Sequence, residues 1–243
     1  MNVIERLDEV VNDHIRRTRL YNEPMTLECA KTFVKQHRLN TRQRNSVLKL
    51  SVATNCPDWE TRIKIIQACS QEIVADHEFG HGKAHWEVIE ELGQSIGLTL
   101  DEIRSAEPLP TTRIAWLAWE TLTKNRHWLE GLIANTCAER VNVPGYGSGR
   151  QKEVGFSGVQ REHWRRAFGL RDDQLEFWSI HSEADIEHSN LGWETIAKYA
   201  ERLKMEDAVV EACRLNLMVW QTYWDGILDA SKAVTTNGAA AAR

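Results

Sequence analysis

Apolar positions recur along this chain with the spacing of helices. In "MNVIERLDEVVNDHIRRTRL" they fall at 3, 4, 7, 10, 11 and 15, the spacing of one buried helix face. "MTLECAKTFVKQH" follows Pro24, with Thr26 placed to cap it, and "TRQRNSVLKLSVATN" predicts a third helix. "PDWETRIKIIQACSQEIVADHEFG" carries Pro57 in its first turn, and the pattern runs on to Gly80. "KAHWEVIEELGQSIG" restarts after the glycines, and "LTLDEIRSA" is a short helix capped near Thr99. Residues 111–141 read as one long helix, ended by the irregular segment 142–158, "NVPGYGSGRQKEVGFSG". Three more helical stretches follow, "VQREHWRRAFGL", "DDQLEFWSIHSEADIEHSNLGWETIAKYAERL" and "EDAVVEACRLNLMVWQTYWDGILDA".

No stretch alternates as a half-buried strand would, and no repeat or long linker divides the chain. The expectation is an all-α, single-domain bundle of about seven main helices over residues 1–232, with a frayed tail at 233–243. No apolar run approaches the roughly 20 residues that span a bilayer. The first residues lack the apolar core of a signal peptide, so a cytoplasmic setting is expected. The net charge of −5 leaves no basic footprint for nucleic acid. The five cysteines are scattered and odd in number, which argues against a disulfide framework. Ten tryptophans are the one compositional excess, and most belong to helix packing.

The chemistry concentrates in two stretches. In "HSEADIEHSN", His181, Asp185 and His188 stand at i, i+4 and i+7 and share one helix face, while Glu183 and Glu187 point elsewhere. Trp178 lies one turn earlier on the same side, so that face is expected to turn inward. A carboxylate buried between two histidines is costly unless it meets a cation. In "DHEFGHGKAH", Glu78 and His85 are two helical turns apart, with His81 nearly between them as a further candidate, in direct contact with a metal or behind its ligands. His77 reads as a surface residue. On the helix 111–141, Glu139 shares a stripe with Trp128, Leu132 and Asn135, whereas Glu130 sits with Arg126 and His127 on a wetter side. Glu139 is therefore preferred. Three histidines and three carboxylates with open positions suit iron or manganese better than structural zinc.

"HEFGHGKAHWEVIEELGQSIGLTLDEI", "ANTCAERVNVPGY" and "HSEADIEH" together resemble the ligand helices of the haem-oxygenase-like di-metal oxidases. That family is related to the thiaminase II, pyrroloquinoline quinone synthase and chlamydial death-domain-associating proteins. The resemblance covers residues 10 to 225. It implies metal ligation by Glu78, His85, Glu139, His181, Asp185 and His188, two Fe(II) ions or a Mn/Fe pair, and O₂ as co-substrate. The implied reaction is N-oxygenation or oxidative C–C cleavage of a small amine or an amino-acid-derived substrate in a biosynthetic route. A cofactor-free oxidase, a thiaminase II-like protein and a non-catalytic binding bundle stay open as alternatives. Trp86, Trp128 and Trp178 are expected to wall the substrate pocket, with Arg140 or Arg113 pairing a substrate carboxylate. A homodimer is left open, and the electron donor is not identified. In the chlamydial branch a tyrosine and a lysine of the protein are consumed. Tyr21 matches the first only loosely, and Lys152 lies in a longer loop than that branch has.

Overall fold

The structure, a computed structural model, describes residues 1–241, with side chains described through residue 233. Its helices, in chain order, are α1 (Val3–Arg17), α2 (Arg19–Asn22), α3 (Leu27–Gln43), α4 (Leu50–Asn55), α5 (Trp59–Ile73) and α6 (His85–Ser95), then α7 (Leu100–Arg104), α8 (Pro110–Lys124), α9 (Trp128–Thr136), α10 (Gly149–Phe168), α11 (Glu176–Leu203) and α12 (Glu206–Ala241). No strand occurs among the described residues, only an isolated bridge between Asp76 and Lys83. None of the described helices is long and apolar enough to cross a membrane. The expected tail begins within α12, and residues 242–243 lie outside the described residues.

The helices start where short polar side chains meet orphan backbone N–H groups. Asn2 and Glu5 close a capping box on α1, and Thr99 and Glu102 do the same on α7. Thr26 accepts from Cys29 N at the start of α3, and Asp58 from Thr61 N at the start of α5. The core runs between the long helices: α12 packs against α1, α3, α8 and α9, and α11 against α9 and α10. Phe33, Trp119, Trp164 and Tyr223 are among its largest fully buried side chains.

Three expected elements are divided or reshaped. Helix α5 stops at Ile73 and not at Gly80. Beyond it, Asp76 Oδ1 accepts from the backbone N–H groups of Glu78 and Phe79, which closes a turn and competes with helix. The turn continues through His81 and Gly82, both at positive φ. The helix expected over 111–141 breaks at Asn125–His127, where the His127 ring accepts from Leu129 N and caps α9. It ends at Thr136 and gives way to a 3₁₀ turn over Glu139–Asn142. The irregular segment 142–158 is half helix, because α10 already begins at Gly149. Gly155, at φ 71°, kinks α10, and a Cβ there would lie 2.0 Å from the carbonyl oxygen of Asn142.

Between α3 and α4 the chain makes a π-helical stretch, Arg44–Lys49. An insertion of this kind shifts the helix face that follows, and it is found most often at functional sites. Here it turns Arg44, Asn45, Leu48 and Lys49 inward.

Candidate metal centre

Five of the six expected ligands converge. Helix α11 presents His181, Asp185 and His188, α6 contributes His85 at its first position, and the 3₁₀ turn contributes Glu139. Glu78 is not among them. It sits on the exposed turn after α5 and approaches the cluster only through Gln71, whose Nε2 is 3.5 Å from Glu78 Oε2 and whose Oε1 is 2.9 Å from His188 Nε2. The reason is the early end of α5: without helix from 74 to 84, Glu78 and His85 no longer share a face. Glu72, on the last turn of α5, occupies the inward place.

Glu72 belongs to two overlapping groups whose donor atoms all lie within 4.8 Å of one another. One is Glu72, His85 and His181, and the other is Glu72, Glu139 and His188. Asp185 lines the same cavity as Glu72, Glu139 and His181.

Each histidine is oriented from behind. His181 Nδ1 donates to the carbonyl of Phe177 at 2.8 Å, which leaves Nε2 with its lone pair. His188 Nε2 donates to Gln71 Oε1, which leaves Nδ1. His85 Nε2 is 2.9 Å from Asp76 Oδ2, and its Nδ1 faces Glu72 Oε2 at 3.1 Å without the alignment of a hydrogen bond. Carboxylate or carbonyl groups behind metal-binding imidazoles fix their tautomer in this way. Asp185 Oδ2 accepts from Asn142 Nδ2.

Several side-chain atoms of the cluster are left unpaired. His85 Nδ1, Glu139 Oε2, Asp185 Oδ1 and His188 Nδ1 are all buried without a hydrogen-bond partner. Orphaned donors and acceptors of this kind are costly. Cations held by the two groups around Glu72 would satisfy those of His85, Glu139 and His188, so the donor set fits a metal.

The electrostatics agree. Burial, with Glu139 and Glu72 adding repulsion, pushes the Asp185 carboxyl well above its usual range. Burial alone would also raise Glu72, but His85, Lys49 and His181 together outweigh it and hold that carboxyl well below its usual range. Burial disfavours the charged form of His85, yet Glu72 and Asp76 push it up to about 10. Burial, helped by His85, lowers His181 to about 4.

The cavity above the cluster has a volume of about 80 Å³. Its walls are aromatic. Phe33 stacks on Trp178 and Trp224 at ring separations of 5.2 and 5.7 Å, Tyr21, Phe156, Phe177 and Trp220 add further rings, and polar side chains such as His37, Asn40 and Ser157 share the lining. Of the expected pocket residues only Trp178 lines it. Trp86 lies in an outer groove, where Nε1 donates to the Ile73 carbonyl. Trp128 packs edge-on against Tyr199. Arg140 is held by Tyr146, Ser189 and Asn190, and Arg113 pairs with Glu107 in an exposed contact. His81 is in the exposed turn. The guanidinium that does line the cavity is Arg44, fixed by Nη2 donating to the Asn135 carbonyl at 2.6 Å and by the rings of Trp119 and Trp220.

With this geometry in view, the comparisons with known proteins are specific. A family model described as "Iron-containing redox enzyme" matches residues 31–221. The chain belongs to that family. A 4-aminobenzoate synthase from Nitrosomonas europaea is 26% identical over 153 residues, 63% of this chain. The match spans 57% of that relative's length. A crystal structure of a domain of unknown function from Shewanella denitrificans, described as having a heme oxygenase-like fold, superposes with a TM-score of 0.74. It covers 95% of this chain and 92% of that one at 14% identity, so the likeness is one of fold. The chain is therefore a member of the iron-containing redox enzyme family with a haem-oxygenase-like helical bundle.

Glu72, Lys49 and Arg44 carry no motif in the sequence. Glu72 had a signal nonetheless: Thr61, Ile65, Cys69 and Glu72 form one buried stripe of α5, so the glutamate extends an apolar face.

Proposed function

We propose that this chain is a diiron enzyme that activates O₂ and oxidises a small substrate bearing an amine, by N-oxygenation or oxidative C–C cleavage. The residues that hold the ions are Glu72, His85, Glu139, His181, Asp185 and His188. The observation that supports this reading is the pair of donor groups that share Glu72, each of which could hold one ion. The iron pair, when bound, supplies the electrons for reducing O₂.

The chain's own residues do the rest. Asp76 and the Phe177 carbonyl hold two imidazoles in one tautomer, and Asn142 holds Asp185. The aromatic walls keep bulk water from the reacting centre and accept a flat or apolar body. Arg44 is placed to pair with a carboxylate. The relative's product name joins an amine and a carboxylate on an aromatic ring, and a cavity with one guanidinium and aromatic walls supports a substrate of that general character. All five cysteines are buried and none lines the cavity, which gives no support to thiaminase-type nucleophilic chemistry.

The test is anaerobic loading with Fe(II) followed by admission of O₂. The reading expects two irons per chain and stoichiometric O₂ uptake with a change in the optical spectrum. A chain that takes up well under one iron, or a loaded protein inert to O₂, overturns it.

A further inference from the structure

Among the buried groups that the proposed chemistry does not use, Lys49 stands out. It ends the π-helical stretch and is 4% exposed. Its Nζ lies 2.5 Å from Glu139 Oε1 and 3.9 Å from Glu72 Oε1. An ammonium has three donors and no lone pair, so Lys49 cannot itself ligate a metal. Both of its partners belong to the same donor group, Glu72, Glu139 and His188, whereas the group of Glu72, His85 and His181 shares only the more distant one.

We propose that Lys49 makes the two ion positions unequal: the ion held by Glu72, His85 and His181 binds first and tightly, and the ion facing Glu139 and His188 binds second, against a fixed ammonium charge. The inference rests on the two-ion reading above.

Two physical effects carry it. Lys49 occupies one oxygen of Glu139 and leaves only Oε2, the orphaned atom, for an ion. It also places a positive charge beside the second position, in a medium where charges repel far more strongly than in water. The same ammonium compensates Glu139 and Glu72 while the second ion is absent, so the one-ion state has its own stable charge balance. The backbone is anchored too, through Asn135 Nδ2 on the Lys49 carbonyl at 3.4 Å.

Calorimetric titration of the metal-free full chain with Mn(II) or anaerobic Fe(II) tests this. The variants are Lys49→Met, Lys49→Gln and Lys49→Arg. The wild type is expected to bind in two separated steps, or in one step with a second ion only at high metal concentration. In Lys49→Met and Lys49→Gln the second step tightens by about tenfold or more, while the first moves by less than about threefold. Lys49→Arg, which keeps the charge, retains the weak second step. Equal step separation in the wild type and in both neutral variants overturns the inference and leaves the two-ion reading intact. A wild-type chain that binds no metal overturns both. Two neutral replacements of different polarity guard against a folding defect in one.

Discussion

Asn142 and Asp185 face each other across the cavity floor, and the Asn142 side-chain amide donates to Asp185 Oδ2. Because that oxygen is taken, Oδ1 is the one left buried without a partner. Asn142 is itself fixed, since its Oδ1 accepts from both the backbone N–H and the hydroxyl of Ser157, at 2.9 and 2.8 Å. The kink at Gly155 brings Ser157 to that position. A glycine kink, a serine and an asparagine therefore aim one carboxylate.

Replacing Asn142 by Leu should leave the helices in place but release Asp185. The expected outcome is a loss of about 1–3 kcal/mol of stability and about 10–100-fold of iron affinity. Urea unfolding of the metal-free protein and competition with a chelator measure the two separately.

Helix α11 can lie close to α9 only because residue 192 is glycine. A Cβ there would sit 2.0 Å from Thr136 Oγ1 and 2.8 Å from Thr136 Cβ. Gly192→Ala should cost about 1–3 kcal/mol by forcing the two helices apart. Since α9 leads into Glu139 and α11 carries His188, the same variant should hold less iron. Thermal unfolding and iron content check both effects.

His14 predicts a pH dependence that is independent of the metal centre. Burial lowers it to about 3, against the nearby Asp13, which raises it. Between pH 6.5 and 3 the unfolded chain takes up a proton at this position and the folded chain does not, so stability falls as pH falls. The contribution is fully present above 6.5, and its loss is complete near 3. From pH 7.5 to 5 the loss should be on the order of 1–2 kcal/mol. Urea melts of the metal-free protein at the two pH values should show it as the part of the pH difference that His14→Gln removes.

The legible part of the site was the part carried by unbroken helix. His181, Asp185 and His188 share a face because nothing interrupts α11, and the spacing in the sequence is the spacing in space. The bundle class followed from the same regularity. Glu78 was misplaced because the helical pattern of α5 continues on paper beyond Ile73. The turn that ends it depends on Asp76 capturing two backbone N–H groups, a local contest that apolar spacing does not report. Trp128 and Glu139 looked like one stripe, but the 3₁₀ turn after α9 breaks the phase between them. Lys49 and Arg44 face inward through a π-helical insertion, which shifts the register by an amount that no pattern of apolar residues announces.

On the proposed reading Glu72, and not Glu78, completes the metal-binding set. Iron per chain after anaerobic loading and desalting, compared between Glu72→Ala and Glu78→Ala, tests it most directly. The account predicts that Glu72→Ala retains little or no iron, because both donor groups lose their shared member, while Glu78→Ala binds like the wild type. Iron retained in Glu72→Ala and lost in Glu78→Ala would contradict it.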